Sequence, residues 1–259
     1  MSLIKKLAGE TAIYGLSSIV GRMMNYLLVF VYTRTLTEAE NGILNELYAY
    51  AGFLIVVYSY RMESAYFRYG TPEKDREKVY TTGLLSLVAT TGFVTLGLLL
   101  AAQPILRTKP IADLLHYSAN PEYIRWFALI LAFDCLSELP FARLRLEQRP
   151  RRFVAGKLLN IGTNITLTLF WLVLCPWAAK NGHDLVRYVW SPDIRTGYVF
   201  LANLTASIVT LIFLMPQFRG FHKGFDRALW RNMVLYAAPL IIVQFAGIVN
   251  QMLDRTLLK

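Results

Sequence analysis

The sequence predicts an all-α, polytopic integral membrane protein, and three observations carry that prediction. The first is composition: of 259 residues, 55% are hydrophobic and only 17% are charged, where soluble domains run near 45–50% and about 25%. The second is patterning. Apolar runs long enough to cross a bilayer core of about 30 Å, which takes ~17–25 helical residues, recur along the chain without the period-two alternation of strands. The third is the placement of charge: Lys and Arg outnumber Asp and Glu by 27 to 17, and the excess lies between the apolar runs. A nucleic-acid module would carry such charge on a polar, soluble body. Composition therefore excludes a nucleic-acid partner, a soluble enzyme domain and a disordered basic tail.

Seven helices are expected, near 11–33, 43–60, 80–102, 123–141, 153–175, 197–216 and 233–254. The first follows Lys5 and Lys6 as a signal peptide would. It is longer than the ~7–15-residue core of a signal peptide, contains Arg22, and ends in Thr33-Arg34-Thr35-Leu36 without a small-x-small cleavage site. It reads as a retained helix. The third (Thr82 to Ala102) and fifth (Ile161 to Trp177) hold no charge at all, whereas the fourth is interrupted by Arg125, Asp134 and Glu138.

The connecting segments orient these helices. With the N-terminus inside, one side receives Lys5 and Lys6; Arg61, Arg68, Lys74, Arg76 and Lys78; Arg143, Arg145, Arg149, Arg151, Arg152 and Lys157; and Arg219, Lys223, Arg227 and Arg231. The other side receives only Arg34, Arg107, Lys109, Lys180, Arg187 and Arg195. Seventeen against six is a strong positive-inside bias, which places the N-terminus in the cytoplasm and anionic membrane lipid against the basic rim.

Soluble-type chemistry has no visible carrier. Cys135 and Cys175 both fall within spans and suggest no disulfide framework. His116, His183 and His222 sit in separate loops, with no metal-ligand spacing. Neither a dinucleotide fingerprint, a P-loop nor a nucleophile elbow is present. No metal, cofactor or catalytic residue is expected.

The informative residues are polar ones inside the spans. Gly15, Ser18, Arg22 and Asn25 recur at helical spacing and share one face of the first helix. Arg22 lies roughly 16 Å along the axis from either end, too deep to snorkel. It must face protein or water, either as a cavity-lining cation or in an ion pair with Glu63 or Asp134. The second helix carries Asn45, Tyr48, Gly52, Ser59 and Glu63; the fifth Lys157, Asn160, Asn164 and Thr168; the sixth Asn203, Ser207 and Thr210; the seventh Gln244, Gly247, Gln251 and Asp254. Such stripes can line a hydrated interior. Small polar residues such as Ser18, Ser207, Thr168 and Gly247 are better explained as helix-packing contacts. Lys157 lies nearer the inner end and is equally a cavity cation or a snorkelling one. Asp134 and Glu138, one turn apart, are candidates for ion coupling or, with more weight, for pairing with Arg143 and Arg145.

Three segments carry a family resemblance. They are Gly21-Arg22; Tyr60-Arg61-Met62-Glu63-Ser64-Ala65-Tyr66-Phe67-Arg68-Tyr69; and Ala238-Pro239-Leu240 with Asn250-Gln251-Met252-Leu253-Asp254-Arg255. Together they resemble the polysaccharide (O-antigen, Wzx-type) flippases of the multidrug/oligosaccharidyl-lipid/polysaccharide exporter superfamily. Lipid II flippases and MATE drug antiporters are more distant relatives in that group. The resemblance implies a MATE-like fold of two six-helix lobes, with residues 1–216 as the N-terminal lobe and 217–232 as the basic cytoplasmic inter-lobe loop. Residues 233–259 would then be a seventh helix opening a second lobe. Family chains are nearly twice as long, so this sequence is expected to be an N-terminal half.

The resemblance also implies an activity: moving an isoprenoid-pyrophosphate-linked oligosaccharide across the plasma (bacterial inner) membrane by alternating access, for polysaccharide or lipopolysaccharide export. On that reading Arg22 contacts the pyrophosphate, and Asn25, Asn160 and Asn164 hydrogen-bond sugars. Arg61, Glu63 and Arg68 stand at the cytoplasmic mouth, Glu63 at the place of a glutamate in lipid II flippases. Glycan polymerase or glycosyltransferase proteins become candidate partners. Two alternatives stay open: a cation-coupled multidrug antiporter of the same fold, for which Asp134 and Glu138 are the available acids, and a non-transporting membrane scaffold in glycan assembly.

Overall fold

The computed structural model of the protein describes residues 15, 19–21, 23–24, 26–72, 76–101, 121–182, 190–218 and 224–257. Regular structure among these residues is helical throughout. Helix α1 covers 26–35. It is followed by α2 (Glu38–Ser59), α3 (Met62–Gly70), α4 (Arg76–Ala101), α5 (Pro121–Leu146), α6 (Pro150–Leu169), α7 (Cys175–Lys180), α8 (Arg195–Leu214) and α9 (Arg227–Leu257). A π-helical turn, Phe170–Leu174, joins α6 to α7 just before Pro176. Such a turn absorbs an extra residue without ending a helix.

Five stretches among the described residues are long and apolar enough to cross a membrane: Glu38–Gly70, Arg76–Leu100, Pro150–Lys180, Arg195–Phe218 and Arg227–Asn250. They coincide with the second, third, fifth, sixth and seventh expected spans. The first expected span lies only partly within the described residues. The fourth forms as α5, a 26-residue helix, but Glu122, Arg125, Asp134, Glu138, Arg143 and Arg145 leave it too charged to qualify by composition. Large apolar side chains are bare on the helix surfaces, with Phe93 81% and Ile242 71% exposed. In water such patches would be an aggregation hazard; against lipid tails they are the required outer surface.

The chain divides into two compact units. The first joins residues 1–46 to 148–213, and local sequence sets its boundaries. Thr37 and Glu40 form a capping box at the start of α2, Thr37 N–H donating to Glu40 Oε2 at 2.7 Å and Glu40 N–H to Thr37 Oγ1 at 3.3 Å, which satisfies two donors a helix start leaves open. Pro150 occupies the first turn of α6, where its missing N–H costs nothing. Trp171 stacks on Tyr198 at 5.4 Å, whose hydroxyl accepts from Ser191 N–H at 2.7 Å.

The second unit joins 47–147 to 214–259. Its core holds Val56, Tyr58, Met62, Tyr66, Leu84, Leu87, Leu139, Leu144 and Met233, all at most 1% exposed or fully buried. Gly83 lets these helices pack closely: a Cβ there would meet Leu139 Cδ2 at 3.3 Å and Met233 Cε at 3.4 Å. Tyr58 shares a hydrogen bond of 3.0 Å with Thr95 Oγ1, so the polar tip of this core tyrosine is satisfied.

Two expectations are corrected here. The second helix is not continuous through its polar stripe. Tyr60 and Arg61 adopt φ of 32° and 57°, which breaks the helix and resets its register, so Glu63 does not continue the face of Asn45, Tyr48, Gly52 and Ser59. The segment 217–232 is not all loop. Asp226 Oδ1 accepts Leu229 N–H at 2.9 Å, the geometry of an N-cap, and α9 begins at Arg227.

Candidate functional site

Polar side chains of the second unit gather where α3 and the start of α4 meet the end of α5, the turn Met215–Phe218 and the start of α9. At the centre is Arg143, whose side chain is only 12% exposed. Its Nη2 lies 2.6 Å from Glu77 Oε1, its Nε 2.6 Å from Glu147 Oε1, and its Nη1 donates to the Gln217 carbonyl at 3.1 Å. The guanidinium covers the Tyr80 ring at 4.6 Å, and Tyr66 meets that ring edge-on at 5.6 Å. Two residues on, Arg145 pairs with Glu63 and lies over Phe67 at 5.1 Å. A planar fork can serve several acceptors at once, which suits Arg143 to joining the end of α5 to α4 and to the turn Met215–Phe218.

Arg61 stands beside this network in a different state. Two consecutive non-glycine residues with positive φ cost on the order of 1–3 kcal/mol each, so the surrounding structure must hold them. Tyr60 N–H still donates to the Val56 carbonyl at 2.8 Å, closing α2, while the Arg61 carbonyl accepts from Ser64 N–H at 3.0 Å and opens α3. The Arg61 side chain is half-buried, and its Nε is buried with no hydrogen-bond partner. A buried donor left unsatisfied costs about 1–3 kcal/mol, so this guanidinium is primed for an acceptor.

The N-terminus of α9 docks along one face of α4. Asp226 pairs with Lys78 at 2.5 Å and its N–H donates to Thr82 Oγ1 at 3.3 Å. Trp230 Nε1 donates to Ser86 Oγ at 2.6 Å. Lys78, Thr82 and Ser86 recur every four residues, one stripe of a helix. Asp226 accepts from the Leu229 backbone and from Lys78, which holds its carboxyl below the usual carboxylate range.

The sequence-derived candidates divide between the units. In the first, Asn160 Nδ2 donates to Thr210 Oγ1 at 3.0 Å, and Thr168 donates to Asn164 Oδ1 at 3.4 Å. Thr168, Ser207 and Thr210 are buried, as interhelical contacts are. Lys157 is exposed on α6. Arg22 and Asn25 lie outside the described residues. In the second unit, Arg61 is half-buried, Glu63 is engaged by Arg145 and Arg68 is exposed. Asp134 and Glu138 are half-buried on α5 and flank the buried, free Cys135.

Sequence reading missed the Arg143–Glu77 pair, the Tyr80 platform and the Ser86–Trp230 contact. These partners are remote in sequence, so no local spacing points to them. One signal was present: Asp226, three residues before Leu229 and at the head of an apolar run, has the form of a helix start.

Among the described residues, regular structure is helical and five stretches are long and apolar enough to cross a bilayer, which defines the class: a multi-pass membrane protein. The chain belongs to the polysaccharide biosynthesis protein family, whose model matches residues 7–259. No curated protein and no solved structure matches it. Family and helical architecture together point to a transporter rather than an enzyme, with a general role in polysaccharide export and a glycan or lipid-linked substrate.

Proposed function

We propose that the protein is a flippase that carries an isoprenoid-pyrophosphate-linked oligosaccharide across the plasma membrane, with the basic end of its helices in the cytoplasm. The observation that carries this reading is Arg61: a half-buried guanidinium whose Nε has no partner, held at a strained helix break in a family concerned with polysaccharide biosynthesis. A pyrophosphate supplies charged acceptor oxygens, and arginine binds phosphate through paired N–H groups. Partial burial strengthens that attraction relative to bulk water. Exposed Arg68, on α3, adds charge that draws an anion toward the site. Arg22 is the second proposed headgroup contact, from its depth in the first span. Asn25, Asn160, Asn164 and Lys157 are proposed as contacts along the glycan path, and the isoprenoid tail stays in lipid beside the apolar helix faces.

The deciding experiment compares Arg61→Ala and Arg61→Lys with wild type in cells that depend on this protein for surface glycan. Arg61→Ala is expected to insert normally and to abolish export, and Arg61→Lys to retain part of it. Wild-type export by Arg61→Ala would overturn the assignment. Gain of drug resistance without glycan export would favour the antiporter reading instead.

A further inference from the structure

The break at Tyr60–Arg61 needs something to hold it. Bulky residues with positive φ revert to right-handed helix unless tertiary contacts prevent it, and reversion here would merge α2 with α3 and turn the Arg61 side chain away from its present direction. The backbone bonds on either side are ordinary helix-end bonds and do not oppose that change. Hydroxyls of α4 do reach the break from elsewhere, with Ser86 and Thr90 both facing the Tyr60 hydroxyl. Ser86 Oγ lies 2.5 Å from Tyr60 Oη and 2.6 Å from Trp230 Nε1. An indole N–H only donates, so Ser86 accepts from Trp230 and keeps its own proton and second lone pair for Tyr60. Ser86 is buried, which makes each of these bonds costly to lose.

We infer that Ser86 and Trp230 are positioning residues for Arg61: their shared hydrogen bonds tether Tyr60, fix the strained break, and so aim the guanidinium. Trp230 sits in the second turn of α9, whose cap residue Asp226 is tied to Lys78 and Thr82 on the same face of α4. The orientation of Arg61 is thereby made dependent on α9 being docked against α4. This inference rests on the reading of Arg61 as an anion contact.

The test uses the full chain in nanodiscs, titrated calorimetrically with inorganic pyrophosphate. Ser86→Ala removes both bonds with almost no change in volume, and Trp230→Phe removes one while keeping an aromatic ring, so both are expected to fold. Trp230→Phe is expected to weaken binding about 2- to 10-fold, the ratio that one hydrogen bond of ordinary strength supplies, and Ser86→Ala by at least as much. Ser86→Thr, which keeps the hydroxyl, is expected to bind as wild type does. In an Arg61→Ala background, Ser86→Ala is expected to add nothing, because a positioning residue has no effect once the residue it positions is gone. Two failures are distinguishable. If Arg61→Ala binds pyrophosphate as tightly as wild type, the anion-contact reading falls and this inference falls with it. If Arg61→Ala weakens binding, but Ser86→Ala and Trp230→Phe do not, or Ser86→Ala weakens it by the same factor with and without Arg61, the positioning role alone is overturned.

Discussion

Arg143 Nη2 lies 2.6 Å from Glu77 Oε1, a contact across 66 positions of sequence that joins the end of α5 to the first turn of α4. The same guanidinium holds Glu147 and the Gln217 carbonyl, so one side chain closes the end of the second unit where its helix termini converge. Helix termini leave backbone groups unpaired, and a forked cation with three separate partners is an economical way to bind them together. Two residues further along α5, Arg145 pairs with Glu63 and ties α5 to α3 instead. Neither pair includes Arg61, whose Nε is buried without a hydrogen-bond partner.

Arg143→Ala should destabilise the protein by about 2–3 kcal/mol. The full cost of orphaning a buried pair is ~3–5 kcal/mol, and it is reduced here because the Glu77 side chain is 42% exposed and so remains partly solvated. Arg143→Lys should recover only part of the loss, since an ammonium cannot reach three acceptors along the directions of a planar fork. Unfolding in detergent, compared among the three proteins, measures both effects. An unchanged midpoint for Arg143→Ala would show that the network does not secure the helix ends.

Glu63 and Arg145 pair at the surface, with side chains 28% and 38% exposed. A pair of that kind contributes about 0–1 kcal/mol, so Glu63→Gln should leave stability nearly unchanged. If Glu63 serves only to hold Arg145, exchanging the charges (Glu63→Arg with Arg145→Glu) should restore any export that the single substitutions lose. If its carboxylate acts on substrate, the exchange should not restore export. Surface glycan in cells expressing the four variants separates the two roles.

The membrane class was legible because it depends on composition and run length, which survive any rearrangement of contacts. The weakness of the fourth span was equally legible, since Arg125, Asp134 and Glu138 are counted, not inferred. The break at Tyr60–Arg61 was not. Neither residue is glycine or proline, and the strain is imposed by contacts with α4 and α9 that no local rule contains. The partners of Arg143 escaped for the same reason: Glu77 and Arg143 lie in segments that read separately as basic rim. Arg61, Glu63 and Arg68 are grouped by sequence at the cytoplasmic mouth, but spacing alone could not show that Arg145 engages Glu63 or that Arg61 Nε is buried without a hydrogen-bond partner.

Asp226 gives the second unit a pH dependence of known sign. Its carboxyl titrates below the ordinary range because the Leu229 N–H and Lys78 favour the charged form. A depressed folded pKa means that the contribution is present above the unfolded value, about 3.9, and is lost as pH falls through the folded value. Asp226→Asn keeps an N-cap acceptor but removes the charge. It should therefore flatten part of the fall in thermal midpoint below about pH 4, while Asp226→Ala lowers the midpoint at neutral pH as well. Identical acid profiles for wild type and Asp226→Asn would remove this group from the acid response.

Asn160 and Thr210 hydrogen-bond at 3.0 Å between α6 and α8, and that contact can be weighed against a role on the glycan path. Interhelical hydrogen bonds in membranes average about 0.6 kcal/mol, so Asn160→Ala and Thr210→Val should each lower stability modestly, and the double variant by less than the sum. Their effects on export should differ. Thr210 is 2% exposed and spends its own proton on the Ala206 carbonyl at 2.7 Å, so its loss removes the interhelical bond and little else. Asn160 is half-buried, and its carbonyl and second amide hydrogen lie beyond the Thr210 bond. If Asn160 contacts sugar, Asn160→Ala should reduce export well below Thr210→Val at equal protein abundance. Equal export from the two variants would assign Asn160 to helix packing alone.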